Sequence, residues 1–205
     1  MPNVKLTKGE LKRQRDALRQ YQRYLPTLQL KKQQLQMEIL HQNAILVKKE
    51  ENLNEKQNAA KAWAGLLSDP AIDMRSWIAP REVVAGLKNI AGVDLPVFDH
   101  LEFTAEEYNL FIIPLWVDAA ITVLRELVSL RRELDIIREG IAVLKRELRI
   151  TTQRVNLFEK VKIPEAREII RLIKIYIGDQ MANAVGRSKI AKRKIEEAVL
   201  EEVAV

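Results

Sequence analysis

Cysteine is absent from the chain, which excludes a disulfide framework and thiolate metal sites and is compatible with a reducing cytoplasm. Histidine occurs only at His41 and His100; the two lie in different predicted elements without metal-ligand spacing, so each reads as a surface or boundary residue. Aromatics make up 5% of the sequence, and only Tyr21 and Tyr24 stand near its basic beginning, so base stacking on nucleic acid is not favoured. No long apolar run is present. The most apolar stretch, Leu110 to Leu124, is broken by Pro114 and Asp118 and is too short to cross ~30 Å of hydrocarbon. No cationic segment followed by an apolar stretch opens the chain, so no signal peptide and no direct membrane insertion are expected. Gly186, Arg187, Ser188 and Lys189 lack the G-x-x-x-x-G-K-[ST] spacing of a phosphate-cradling loop. Carboxylates are numerous, but two helices without a cleft offer no pocket to tune them for acid–base work. Neither an enzyme nor a cofactor is expected.

What the sequence does have is heptads. With Leu11 as position a, a first helix from about Lys8 to Leu66 places Leu11, Leu18, Leu25, Lys32, Ile39, Leu46, Leu53 and Ala60 on one seam. Its d seam mixes Tyr21, Leu28, Leu35 and Trp63 with Gln14, Gln42, Lys49 and Lys56. A second helix from about Pro114 to Val199 is cleaner, with Ala120, Leu127, Leu134, Ile141, Leu148 and Val155 at a, and Val123, Leu130, Ile137, Leu144, Thr151 and Phe158 at d. At ~1.5 Å per residue these are rods on the order of 90 Å and 120 Å, and a sustained 3.5-residue repeat imposes a left-handed supercoil. The fold class expected is mainly α: a long antiparallel two-helix coiled coil with a short middle segment containing a small β-hairpin. A parallel homodimer is the alternative. The polar d positions of the first helix fit either arrangement, because they could also face a third element or a partner.

The organisation expected is an N-terminal coiled-coil helix over 1–67, a middle head over 68–114 and a C-terminal coiled-coil helix over 115–205, forming one elongated domain. Thr7 is the predicted N-cap of the first helix, with Glu10 completing a capping box. Pro26 predicts a kink in that helix, or a break with a fresh start. Pro70, Pro80, Pro96, Gly86 and Gly92 punctuate the middle, where Val83–Ile90 and Val93–Phe98 predict two strands turning near Ala91 and Gly92. An isolated hairpin is marginal in water, so it should pack on the end of the coil or against another protein. Trp77, Ile78, Phe98, Leu101, Phe103, Phe111 and Trp116 supply the apolar material there. Part of it forms local core and part an exposed patch for a partner, with Trp77 and Phe98 the contact candidates. Near Pro164 the heptad phase shifts, and Ile170, Ile173, Ile177, Met181 and Ala184 resume a stripe beyond it.

The net charge of +6 is unevenly placed. Lys5, Lys8, Lys12, Arg13, Arg15, Arg19 and Arg23 face only Glu10 and Asp16, while Arg187, Lys189, Lys192, Arg193 and Lys194 crowd the other end. Antiparallel helices bring both clusters toward one tip, suited to nucleic acid, an anionic membrane surface or an acidic protein cavity, or simply solvated. Arg154 and Glu159 flank the second seam at g and e, where charges set partner choice or form an ordinary interhelical ion pair.

The run Arg154-Val155-Asn156-Leu157-Phe158-Glu159, followed by Ile163-Pro164, Glu168, Ile170 and Ile173-Lys174, resembles the signature of the D subunit family of V-type and A-type rotary ATPases. Leu28, Lys31 and Leu35 fit the first-helix pattern of that family, and the layout of the chain is similar throughout. The resemblance implies a non-catalytic rotor shaft in the central stalk, transmitting torque between the ATP-binding hexamer and the membrane ion-translocating ring. Its implied partners are the catalytic A and regulatory B subunits, the F subunit, and a funnel-shaped stalk protein above the ring. Its implied location is cytoplasmic, peripheral on the membrane, with the basic tip inside the hexamer and the middle segment toward the membrane. Asn156 joins Arg154 and Glu159 as a contact candidate through the resemblance. A non-rotary coiled-coil adaptor or nucleic-acid-associated protein is the alternative.

Overall fold

The computed structural model describes residues 4–68, 74–103 and 114–203. Pro70 and Phe111 lie outside the described residues. Helix α1 (Lys8–Lys61) leads to a 3-10 turn (Ala64–Ser68), the short helix α2 (Arg75–Ile78), strands β1 (Pro80–Ile90) and β2 (Val93–Phe103), and helix α3 (Trp116–Asn156). A π-helical turn (Leu157–Lys162) then joins α3 to helix α4 (Ile163–Val203). The chain divides into two compact units, Leu30–Thr152 and Met1–Gln29 with Gln153–Val205.

Within Leu30–Thr152 the two long helices pair antiparallel in a single chain. Lys31 meets Glu147 at 3.1 Å, Lys49 meets Glu133 at 3.0 Å and Lys56 meets Glu126 at 2.6 Å, the partner number falling as the first rises. The polar d positions Lys49 and Lys56 therefore face neither a third element nor water alone; they bond to glutamates at the g positions of α3. These pairs are part-exposed and contribute less than about 1 kcal/mol each. Burial of the seam carries the energy. Leu35, Leu134 and Leu144 are essentially fully buried, each contributing about 1.5–3 kcal/mol relative to exposure.

The hairpin lies along the flank of this pair, not on its end. Val93 and Leu95 of β2 join Leu35, Ile39 and Leu144 in one cluster, while at the hairpin's base the Arg125 guanidinium sits 5.0 Å over the Phe103 ring. The g row of α3 reads Glu126, Glu133, Gly140, Glu147, and at Gly140 the backbone carbonyl of Pro96 lies 4.0 Å from where a Cβ would stand. The missing side chain thus leaves room for the hairpin. Ala91 and Gly92 both take positive φ, 53° and 73°, as a two-residue hairpin loop demands, and Asn89 accepts from the Gly92 N–H at 3.2 Å. The strands run longer than their apolar stretches suggest. A bulge where Val84 pairs with His100 and Ala85 with Phe98 carries pairing past the polar Asp99, and both strands are edges, where Pro80 and Pro96 are tolerated. A second cluster, Met74, Val117, Ala120 and Ile121, packs with Trp63, Leu67, Trp77 and Trp116. Trp63 and Leu67 reach it because α1 ends at Lys61, short of the expected Leu66, and tightens into the 3-10 turn, with the Leu66 N–H bonded to the Trp63 carbonyl at 2.9 Å.

In the other unit, α1 begins at a Thr7 cap whose Oγ1 accepts the Glu10 N–H at 3.3 Å. The reciprocal half of the capping box is not made. The Thr7 N–H bonds to the Lys5 carbonyl at 2.9 Å, and the Glu10 carboxylate accepts from Gln14 at 2.7 Å. Pro26 neither ends nor restarts α1, which is one helix from Lys8 to Lys61. The Pro26 ring is exposed, and Thr27 Oγ1 donates to the Tyr24 carbonyl at 2.8 Å. Tyr21 stacks on Phe158 at 5.4 Å between centroids, a d-to-d contact from the two helices. Val155, Ile163, Ala166, Ile170 and Ile173 are buried. The step from Val155 to Ile163 is eight residues where a heptad gives seven, and the π turn absorbs the extra one.

Candidate functional site

The family-like motif is built around that π turn. Pro164 has no N–H to offer the carbonyl four residues back, and its ring would collide with that carbonyl in a regular helix. The backbone widens instead, and the Ile163 N–H reaches the Phe158 carbonyl. One consequence is a change of face. Val155 and Phe158 point into the seam, whereas Arg154, Asn156, Leu157 and Glu159 are exposed. Among the described residues Arg154 and Glu159 form no ion pair with the facing helix, so the ordinary interhelical pair is not made, and both side chains are available to another molecule. Beyond the turn, Arg171 forks onto Glu168 with bonds of 3.2, 3.0 and 2.6 Å. Those hydrogen bonds hold the Glu168 carboxyl below the usual carboxylate range and raise the Arg171 guanidinium.

The basic cluster occupies the exposed C-terminal part of α4. Arg187, Lys189, Lys192, Arg193 and Lys194 are all exposed, although Lys192 lies 3.7 Å from Glu196 and Arg193 3.5 Å from Glu197. These i,i+4 pairs on an open helix are weak and salt-screened, so the cations remain available to a competing anionic surface. The apolar side chains Met181, Val185, Ile190 and Ile195 are exposed on the same helix. A fully solvated helix gains nothing from such residues.

The middle-segment candidates sit differently. Trp77 is half-buried against the Met74 cluster, and its carbonyl accepts from Arg125 Nε at 2.9 Å. Phe98 is half-buried and lines depressions beside α3 that also include Glu133. Both rings thus have local packing, and among the described residues of this region the most open apolar side chains are Leu87 and Leu115. The structure gathers Arg154, Asn156 and Glu159 on one stretch of helix, and the five basic residues on another. His41 and His100 are in α1 and β2, and His100 lies 3.3 Å from Asp99. No described helix is long and apolar enough to cross a membrane.

The sequence model of the family described as the ATP synthase D subunit matches residues 10–193. The chain belongs to that family. It is 46% identical over 196 residues to the V-type ATP synthase D subunit of Borreliella burgdorferi, covering 95% of this chain and 96% of the relative. The proteins of the same name from Chlamydia pneumoniae and Chlamydia abortus are 34% and 36% identical, each over at least 94% of this chain and 93% of the relative. The family match spans the motif, both long helices and the hairpin. It leaves the adaptor and nucleic-acid alternatives without support. Sequence reasoning missed the π turn itself, although the eight-residue step from Val155 to Ile163 beside Pro164 was its signal.

Proposed function

We propose that this chain, a central-stalk D subunit of a V-type ATP synthase, is the non-catalytic rotor that carries torque between the ATP-binding hexamer and the membrane ion-translocating ring. The observation that carries this reading is the family match over residues 10–193, which takes in the antiparallel helix pair of Leu30–Thr152. The exposed basic end of α4 suits an acidic cavity formed by alternating catalytic A and regulatory B subunits. The hairpin and its neighbourhood suit the F subunit and the funnel-shaped stalk protein on the cytoplasmic side of the membrane. Arg154, Asn156 and Glu159, exposed beside the π turn, are further candidate contacts.

The mechanism follows from elementary energetics. Each closure of a catalytic interface around nucleotide favours one angular position of an asymmetric shaft, so rotation is a succession of population shifts among orientations. Twist is transmitted because the buried seam is close-packed and resists relative sliding. No chemistry is required of the shaft itself.

The test is purification of the tagged chain from its host, identification of attached proteins by mass spectrometry, and assay of ATP hydrolysis. Recovery with A, B and F subunits and ATPase activity is expected; a homodimer without them overturns the reading. Replacing Arg187, Lys189, Lys192, Arg193 and Lys194 by glutamine should weaken retention of A and B without releasing F. Loss of both together contradicts the assignment of separate ends.

A further inference from the structure

Between its two apolar clusters the helix pair of Leu30–Thr152 has a stretch without a packed seam. Over residues 49–60 of α1 and 122–133 of α3 no side chain is buried. The apolar seam members there, Leu53, Val123, Leu127 and Leu130, are only half-buried. Beyond the ends of the stretch, Leu35, Leu134, Leu144 and Val117 are at most 1% exposed. The d row of α1 supplies the reason: Lys49 and Lys56 stand where a coiled coil places an apolar knob, and a charged residue in that row weakens the seam.

Charge holds the stretch instead. Lys49 meets Glu133 at 3.0 Å and Lys56 meets Glu126 at 2.6 Å, and Glu50 adds a third cross-helix pair at 2.7 Å from Arg138. The pair of Lys31 with Glu147 differs in its setting, one turn from the fully buried Leu35 and Leu144. A hollow of about 470 Å³ also opens along the stretch, with Lys56, Phe98, Thr122, Glu126, Ser129 and Glu133 in its wall. Water and salt ions therefore reach both lysine pairs. Attraction between such part-exposed charges is screened within ~10 Å at 0.1 M salt and ~3 Å at 1 M, whereas burial of Leu35 or Leu144 is not. A segment with few buried apolar contacts opens more readily than its packed neighbours.

We propose that this stretch is an electrostatic joint in the helix pair. Residues 49–60 part locally from residues 122–133 while the clusters on either side stay closed, and ionic strength sets how often they do so. The joint is a property of this chain alone and does not rest on its place in a stalk.

The test is amide hydrogen exchange of the full chain, read peptide by peptide at 0.1 M and 1 M sodium chloride and corrected with an unstructured reference peptide. Exchange over residues 49–60 and 122–133 should be about tenfold faster at 1 M, while peptides holding Leu35 and Leu144 change less than about twofold. No response in the stretch, or an equal response throughout both helices, overturns the joint. Glu126→Gln with Glu133→Gln removes the charge and keeps the shape, so at 0.1 M this variant should exchange as the parent does at 1 M. Protection equal to the parent's at 0.1 M refutes the proposal. Lys49→Leu with Lys56→Leu supplies the missing knobs and should slow exchange in the stretch about tenfold and remove most of its salt response; a response as large as the parent's refutes it as well.

Discussion

The Ile163 N–H bonds to the carbonyl of Phe158, five residues back. This single bond records a conflict between proline and heptad and its resolution. Pro164 forbids a regular helix at this point, and the seam after the π turn, Ile163, Ala166, Ile170 and Ile173, is one residue out of phase with Val155. An inserted residue answers both demands. Deleting Lys160 should therefore restore the seven-residue step, keep the later seam facing its partner, and leave Pro164 in a regular helix, destabilising the chain by about 3 kcal/mol or more. Pro164→Ala alone should keep the π turn, because without it the extra residue would turn the later seam by about 100°. Thermal denaturation followed by circular dichroism compares them. Equal melting temperatures for the deletion and the parent would show that Pro164 does not require the π turn.

Leu144 and Leu35 are wholly buried in the cluster that also holds Val93 and Leu95. Leu144→Ala should cost about 2–5 kcal/mol, read from chemical denaturation, whereas Val143→Ala next door, at a site 40% exposed, should fall within about 0.5 kcal/mol of the parent. Leu134→Asp places an unpaired charge in the seam and should abolish cooperative unfolding near room temperature. Full helicity and stability in that variant would contradict an antiparallel seam.

The fold was legible where periodicity speaks. Leu134, Ile141, Leu144 and Val155 are heptad positions and are buried, because a repeated stripe has one geometric solution at each turn. The partners of Lys49 and Lys56 were not legible, since which glutamate faces a d-position lysine depends on helix stagger, which neither helix encodes alone. Nor was the course of the hairpin along the coil. Its cause is distributed between Gly140, which withholds a side chain, and Val93 and Leu95, which fill the space over Leu35. Arg154 and Glu159 were singled out by their g and e heptad positions beside the seam, whereas Asn156 came only through the motif, because a residue away from the seam leaves no periodic trace. Trp77 packs around Met74, the local-core fate that part of the middle segment's apolar material was expected to have.

Gly140 allows a direct test of the hairpin's seating. A Cβ there would meet the Pro96 carbonyl at 4.0 Å, an ordinary contact, so Gly140→Ala should be tolerated and, as a helix-interior change, should stabilise by roughly 0.5–1 kcal/mol. Gly140→Glu restores the g row of α3 but drives a long side chain into β2. Amide hydrogen exchange should then accelerate through Pro80–Ile90 and Val93–Phe103 while the helix pair keeps its protection. Unchanged strand protection in the glutamate variant would show that the hairpin does not rest on this glycine.

At the loop, Ala91 holds φ at 53°, a conformation in which its Cβ crowds the following carbonyl at a cost of roughly 1–2 kcal/mol. Asparagine accepts that region and, ahead of Gly92, completes the preferred Asn-Gly loop. Ala91→Asn should stabilise the hairpin by about 1 kcal/mol, seen as slower exchange of the strand amides. Faster exchange would place the loop in another geometry.

Glu168 provides the pH dependence. Its carboxyl is lowered chiefly by the side-chain hydrogen bonds from Arg171, with burial opposing and the guanidinium charge adding to the effect. A carboxylate whose folded value lies below its unfolded one contributes stability that is complete above the unfolded value and is lost as pH falls through the lowered one. Both groups are solvent-exposed, so the contribution is local, reduced by salt, and registers in the titration of this residue more than in global unfolding. A carbon-13 titration of the Glu168 carboxyl should give a midpoint below that of the unfolded chain, Arg171→Gln should return it upward, and high salt should narrow the gap. If Arg171→Gln leaves the midpoint in place, the fork seen at 2.6–3.2 Å is not populated in solution.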